Sequence, residues 1–205
     1  METGIDSDMI DEANKMIQLF AKTISGIEVT ESFPQAIDKV IGCEGKIITS
    51  GMGKAGIAMK KFSAILCSLG FPSVYLHPGE ASHGDLGLIS GTDILFLAST
   101  SGKTREILEV LELARNLEIS YVIGITSHID SPLRNDCDLI LDMGEIEEAH
   151  ITEGFNLPPT SSILSMLAIT DTIALLSARK KGVTKEDYSK YHHGGYLGKK
   201  ARNEV

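Results

Sequence analysis

Basic side chains are in short supply: 19 Lys and Arg against 28 Asp and Glu leave a formal net charge of −9 over 205 residues. No broad cationic face is available for a phosphate backbone, so nucleic acid is not an expected partner. Cysteine is scarce as well. Cys43, Cys67 and Cys137 are odd in number, have no CxxC spacing and stand in hydrophobic surroundings, which excludes a disulfide frame or a structural zinc site and reads as core thiols. An uninterrupted apolar run of membrane length is missing too. The longest such stretch, residues 162–178, carries Thr170, Asp171 and Thr172 in its middle, where a charge is expensive in lipid, so no membrane span is expected. The opening stretch, METGIDSDMIDEANK, is acidic and has no apolar segment, so a secretory signal is not expected either. Repeats, low-complexity tracts and dividing linkers are absent. What is present is a 42% hydrophobic content, enough for one ordinary domain with a real core, and the expected location is cytoplasmic.

Helical periodicity opens the chain. Ile10, Ala13, Ile17, Phe20 and Ile24 share one face of residues 9–24, an amphipathic helix. Residues 32–41 suit a second helix, with Pro34 in the first turn, where its missing N–H costs nothing. Five short apolar runs follow, at residues 46–49, 73–76, 93–98, 121–126 and 138–141. Helical runs at 57–69, 104–118 and 132–136 alternate with them. This alternation predicts an α/β fold: a single doubly wound, five-stranded parallel sheet with helices on both faces. A last long helix, residues 161–181, ends at Gly182 with Arg179, Lys180 and Lys181 in its final turn, matching the negative end of its dipole. The expected organisation is a helical extension over 1–30, the sheet domain over 31–182 and a polar tail over 183–205.

In such sheets ligands bind where strands end and helices begin. After the first strand comes SGMGKAG, in which Gly51, Gly53 and Gly56 satisfy GxGxxG. A nicotinamide cofactor is disfavoured, because the second strand ends in His77 and Pro78 rather than a ribose-binding carboxylate, and Lys54 is planted inside the turn. The motif is not a P-loop either, since the spacing before the lysine and the following Ser or Thr are missing. There remains a tight turn that brings backbone N–H groups and Lys54 to a small polar ligand, or simply a structural turn with an exposed lysine. After the third strand, Ser99, Thr100, Ser101, Gly102, Lys103 and Thr104 lead into a helix. A helix N-terminus with hydroxyls around it is a phosphate cradle. The bland alternative is a cap, but a cap needs one hydroxyl and four are present. A third loop, LPPTSS, sets Thr160, Ser161 and Ser162 at a helix start, where capping and ligand binding remain equally open.

The pattern S-x-S-G-x-[ST] at Ser99, Ser101, Gly102 and Thr104 resembles the phosphosugar loop of the sugar isomerase (SIS) domain. The succession GMGKAG, LHPGEASHGDLG, SGKTREI, PPTSS and YHHGGYLGKK is similar, in the same order, to the D-arabinose 5-phosphate isomerases, over roughly residues 35–202. These enzymes lead into Kdo, an acid sugar of lipopolysaccharide and some capsules. The resemblance implies a flavodoxin-like fold, no cofactor, a small phosphosugar substrate, and a short form without the CBS domain pair that many members carry. It further implies a homotetramer whose active sites are shared between subunits. Three places depart from the family: His193 stands where proline is usual, Lys103 where an acidic residue is common, and the stretch before PPTSS is longer.

Aldose–ketose isomerisation requires a base beside a carbonyl, a partner for two oxygens, and an anchor. Glu106 lies in the first turn of the helix whose preceding loop would hold phosphate. The helix dipole alone would also favour a carboxylate there, and the family resemblance assigns it the catalytic role. Lys54 would offset enediolate charge or touch the phosphate. His83 and His192 would move protons between the sugar oxygens. Gly53, Ser99, Ser101, Gly102, Thr104, Thr160 and Ser161 would bind substrate. His77, His128 and His150 are assigned to structure or surface. A metal site built from His83 and His192 with Glu106 or Asp85 is weighed against this and not expected, since an enediol route needs none. Two rival readings are a non-catalytic SIS module and an isomerase of another phosphosugar.

Overall fold

The computed structural model describes residues 7–204; residues 1–6, on which part of the signal-peptide reading rests, and Val205 lie outside the described residues. Five strands, β1 (Ile47–Gly51), β2 (Ser73–Tyr75), β3 (Ile94–Ala98), β4 (Tyr121–Thr126) and β5 (Leu139–Asp142), form one sheet. Their order is β2-β1-β3-β4-β5, and every pairing is parallel. All five residues of β1 and of β3 are buried, the mark of strands covered on both faces.

Strand residues alternate between two cores, as a period of two requires. Ile47, Ile94, Phe96, Ile123 and Ile125 face one side; Ile48, Leu95, Leu97 and Val122 face the other. The first core is closed by α2 (Ser32–Ile41), α3 (Gly53–Ser68) and α7 (Ser161–Lys181), with α1 (Ser7–Ser25) laid against α7. The second is closed by α4 (Pro78–Ala81), α5 (Arg105–Asn116) and α6 (Pro132–Asp136). The expected doubly wound sheet is therefore the observed one, with strand boundaries shifted by a residue or two and α3 starting four residues earlier, at Gly53.

Several expectations are corrected. By length and composition α7 alone, among the described residues, would suffice to cross a membrane. Here it is the core helix against α2 and α3, and its Asp171 pairs with Lys61 of α3. Cys67 is exposed rather than a core thiol, because it lies on the outer face of α3 next to buried Leu66. Burial does push the Cys137 thiol up to about 12 and raises that of Cys43. The tail is helical: α8 (Lys185–Tyr191) starts with a capping box between Thr184 and Asp187, and α9 (Gly195–Ala201) follows. The apolar face of α1 is largely uncovered, with Ile17 65% and Ile10 49% exposed.

Asp93 locks the entry to the two central strands. Its buried carboxylate accepts from the backbone N–H groups of Lys46 (2.8 Å) and Ser90 (2.8 Å) and from the Lys46 ammonium (2.6 Å). A Cβ on Gly45 would overlap that carboxylate, so only glycine leaves it room. Burial by itself would raise the carboxyl, but the Lys46 ammonium and the two N–H groups outweigh it and hold it below the usual aspartate range. Asp93→Asn is therefore expected to lower the unfolding free energy by roughly 2 kcal/mol at neutral pH, read from urea denaturation at unchanged slope. The folded pKa lies below the unfolded value of about 3.9. Wild-type stabilisation is complete above that value and fades as the pH falls beneath it, so the difference between the two proteins should shrink in strong acid.

Candidate functional site

The chain leaves β1 and β3 side by side, with Gly51 opposite Ala98 at their carboxyl ends. From there β1 leads to β2 on one side and β3 to β4 on the other, and the two following helices lie on opposite faces of the sheet. A crevice opens at such a reversal. It is a pocket of about 230 Å³ lined by Met52, Lys54 and Ala55 from the start of α3, by Ala98 to Ser101 and Thr104 from the turn before α5, and by Pro159 and Ile163 from the start of α7. Three helix starts thus border it, and those of α3 and α5, which no side chain caps, are sources of unpaired N–H groups and partial positive charge.

The GxGxxG turn is built for close approach. A Cβ on Gly56 would overlap the Gly51 carbonyl and reach the Tyr75 hydroxyl, which donates to that carbonyl at 2.7 Å. Gly53 has φ +58 and opens α3. Lys54, one residue on, is exposed and makes no ion pair among the described residues. Its ammonium is available to a ligand.

The turn after β3 decides between cap and cradle. Thr104 occupies the N-cap of α5, yet its side chain makes no capping hydrogen bond. Its hydroxyl meets that of Ser99 at 2.8 Å, and Ser99 Oγ accepts the Gly102 N–H at 3.0 Å. Ser101 Oγ accepts the Lys103 N–H at 3.2 Å. The hydroxyls are therefore gathered around the turn rather than spent on the helix end. Gly102 has φ +63, and a Cβ there would overlap the Ser131 hydroxyl, so this position needs glycine for conformation and for space. Glu106 stands half-buried in the first turn of α5, without a hydrogen bond or ion pair among the described residues.

The other anticipated residues are placed differently. Thr160 and Ser161 do not line the pocket. Thr160 donates through its N–H (2.7 Å) and its hydroxyl (3.1 Å) to Glu148, which also accepts the Ser162 N–H at 3.4 Å. Ser161 is fully buried. Glu148, the side chain that caps α7, is not foreseeable from local sequence; it lies twelve residues before Thr160, beyond any local capping motif. His83 is exposed in the turn after α4, which packs on α5. His192 ends α8 and stacks on Tyr188, ring centroids 5.1 Å apart. Tyr191, its neighbour, abuts Gly70 at the far end of α3. With a rise of 1.5 Å per residue, α3 is about 24 Å long, and Tyr191 sits at the end opposite Lys54. His193 faces the Arg202 guanidinium through Nδ1 at 3.4 Å; arginine only donates, so that nitrogen accepts. His77 also uses Nδ1 as an acceptor, capping α4 through the Gly79 N–H at 3.2 Å. No cluster of three or more His, Cys, Asp or Glu side chains suited to a metal gathers among the described residues.

Comparison with known proteins adds to this geometry. The SIS domain pattern matches residues 40–176. Over 203 residues the chain is 35% identical to the arabinose 5-phosphate isomerase KpsF of Escherichia coli, covering 99% of this chain and 61% of that protein. The chain thus spans about three fifths of that relative's length. A Bacteroides fragilis structure, described as that of a phosphosugar isomerase involved in capsule formation, superposes with a TM-score of 0.86 at 40% identity, covering 92% of this chain and 99% of the other. An Escherichia coli CFT073 protein in complex with arabinose 5-phosphate superposes with a TM-score of 0.85 at 31% identity, covering 91% and 98%. With the SIS pattern matched over residues 40–176 and the fold shared with these solved structures, the chain belongs to the SIS domain family.

Proposed function

We propose that the chain is an aldose–ketose isomerase that interconverts D-ribulose 5-phosphate and D-arabinose 5-phosphate, acting in the cytoplasm on the way to Kdo. The observation that carries this reading is the turn after β3, whose hydroxyls decline the α5 cap and collect beside Lys54 at the N-termini of α3 and α5. That is a site for a phosphate, and the similarity to KpsF and to the arabinose 5-phosphate complex supports the choice of sugar.

The phosphate end is held by Ser99, Ser101, Gly102 and Thr104, with Gly53 as a further binding residue; Thr160 and Ser161, expected to bind as well, are left to the start of α7 because they lie outside the pocket. Anchoring one end fixes the carbons near Glu106. Glu106 removes a proton from C1 of the ketose, leaving an enediolate whose charge the Lys54 ammonium offsets. A proton then passes from the C1 oxygen to the C2 oxygen, assisted by His83 and His192, and protonation of C2 gives the aldose. No cofactor or metal enters these steps.

His192 does not line its own pocket, and its neighbour Tyr191 abuts Gly70 past the opposite end of α3, so the reading takes His192 from a neighbouring subunit. The uncovered apolar face of α1 supports association, and the assembly is a homotetramer.

A coupled assay with ribulose 5-phosphate tests the chemistry. Glu106→Gln should lose roughly 10²- to 10⁴-fold in kcat, whereas Lys103→Ala, at an exposed side chain outside the proposed machinery, should retain turnover. An active Glu106→Gln enzyme would remove the base from this scheme. Shared sites are tested by co-refolding inactive Glu106→Gln chains with inactive His192→Ala chains. Mixed tetramers should regain activity that neither parent shows; a fully active monomer on size exclusion would exclude the arrangement.

A further inference from the structure

Three consecutive carbonyls of the turn after β3 are tied to the segment that follows β4. The Thr100 carbonyl accepts from the Thr126 hydroxyl (3.1 Å), the Ser127 N–H (3.1 Å) and the Ser127 hydroxyl (3.0 Å). The Gly102 carbonyl accepts the Leu133 N–H at 3.2 Å. Between them, the Ser101 carbonyl faces His128 Nδ1 at 3.1 Å. A carbonyl oxygen only accepts, so His128 carries a proton on Nδ1.

That bond acts on the site through one peptide unit. The unit is planar, with its N–H opposite its C=O, so His128 sets the orientation of the Ser101–Gly102 peptide. The N–H of the same unit, at Gly102, donates to Ser99 Oγ at 3.0 Å. With one lone pair so occupied, the Ser99 hydroxyl still has its own proton, shared with Thr104 Oγ1 in a 2.8 Å contact that either can donate, or offered to an anion in the pocket. The backbone that carries the imidazole is itself held. Arg134 Nε donates to the His128 carbonyl at 3.1 Å, and Arg134 Nη2 reaches the Asp142 carboxylate, at the end of β5, at 2.9 Å. A connected series of bonds therefore runs from the sheet edge to the hydroxyl that would meet the phosphate. The ring of His128 is exposed, so its contribution is this bond and not packing.

We infer that His128 is a positioning residue for the phosphate end of the substrate, a role that rests on the phosphosugar reading above. It touches no reacting atom. Its removal loosens the peptide that aims Ser99 and leaves the groups around C1 and C2 where they are.

The test compares wild type, His128→Ala and His128→Asn in the ribulose 5-phosphate assay, with inorganic phosphate as competitive inhibitor. One exposed hydrogen bond corresponds to roughly a threefold to tenfold effect. In His128→Ala, KM for the sugar phosphate and the inhibition constant for inorganic phosphate should rise together by that factor, with kcat within about twofold and the melting temperature little changed. Asparagine can offer an amide N–H in place of Nδ1–H, so His128→Asn should recover most of the loss. Unchanged KM and phosphate inhibition in His128→Ala would overturn the inference, as would a fall in kcat alone or an asparagine variant no better than alanine. If wild type turns over no pentulose phosphate, calorimetric titration of inorganic phosphate into the same three proteins decides separately. Weaker binding to the alanine variant alone sustains the positioning role while the isomerase reading falls, and equal binding or none to all three overturns it.

Discussion

Everything at the site depends on β1 and β3 being neighbours whose chains depart in opposite directions. Right-handed crossovers from β1 to β2 and from β3 to β4 then place α3 and α5 on opposite faces of the sheet. Two glycine-bearing turns are left facing one another across a gap that no helix fills. The gap persists because each strand end is fixed from below: all residues of β1 and β3 are buried, and Asp93 ties the start of β3 to Lys46 at the threshold of β1. A weaker join at that end would transmit directly to the register that pairs Gly51 with Ala98.

Binding an anion to this chain works against its overall charge. With a net charge of −9, the long-range field repels any anion, so attraction at the pocket must be local and short-ranged. The uncapped N-termini of α3 and α5, the exposed Lys54 and the hydroxyl turn supply it. The arrangement has a cost in stability. An N-cap hydroxyl contributes about 1 kcal/mol to a helix, and at α5 the Thr104 hydroxyl forgoes that role to face Ser99. The start of α7 shows the opposite settlement: Glu148 caps it with three hydrogen bonds. Helix ends that look alike in sequence, each opening with Thr and Ser hydroxyls, thus do different work.

Much is legible in the chain because it is written in local patterns. Apolar runs of strand length alternating with helical periodicity specify a parallel sheet, since no other packing buries both faces of such strands. The density of hydroxyls at residues 99–104 likewise exceeds what a cap requires, and the geometry around Thr104 agrees with that count. Cys67 defeats a reading of this kind because composition around a residue does not say which face of a helix it occupies. The helices of the tail are equally hard to see, being short and poor in apolar residues; α8 relies on the Thr184–Asp187 capping box rather than on burial.

The sequence by itself determined the fold class, the hydroxyl-rich turn and the acid in the first turn of α5, because each rests on residues within a few positions of one another. The tertiary structure alone decided which distant groups meet. Glu148 reaches the start of α7, His128 meets the Ser101 carbonyl from twenty-seven residues away, and Ser131 closes the space beside Gly102. It also carried His192 to the far end of α3 and left α1 with an uncovered face. Such contacts join segments that only the sheet order brings together, and strand order leaves no trace in any short stretch of sequence.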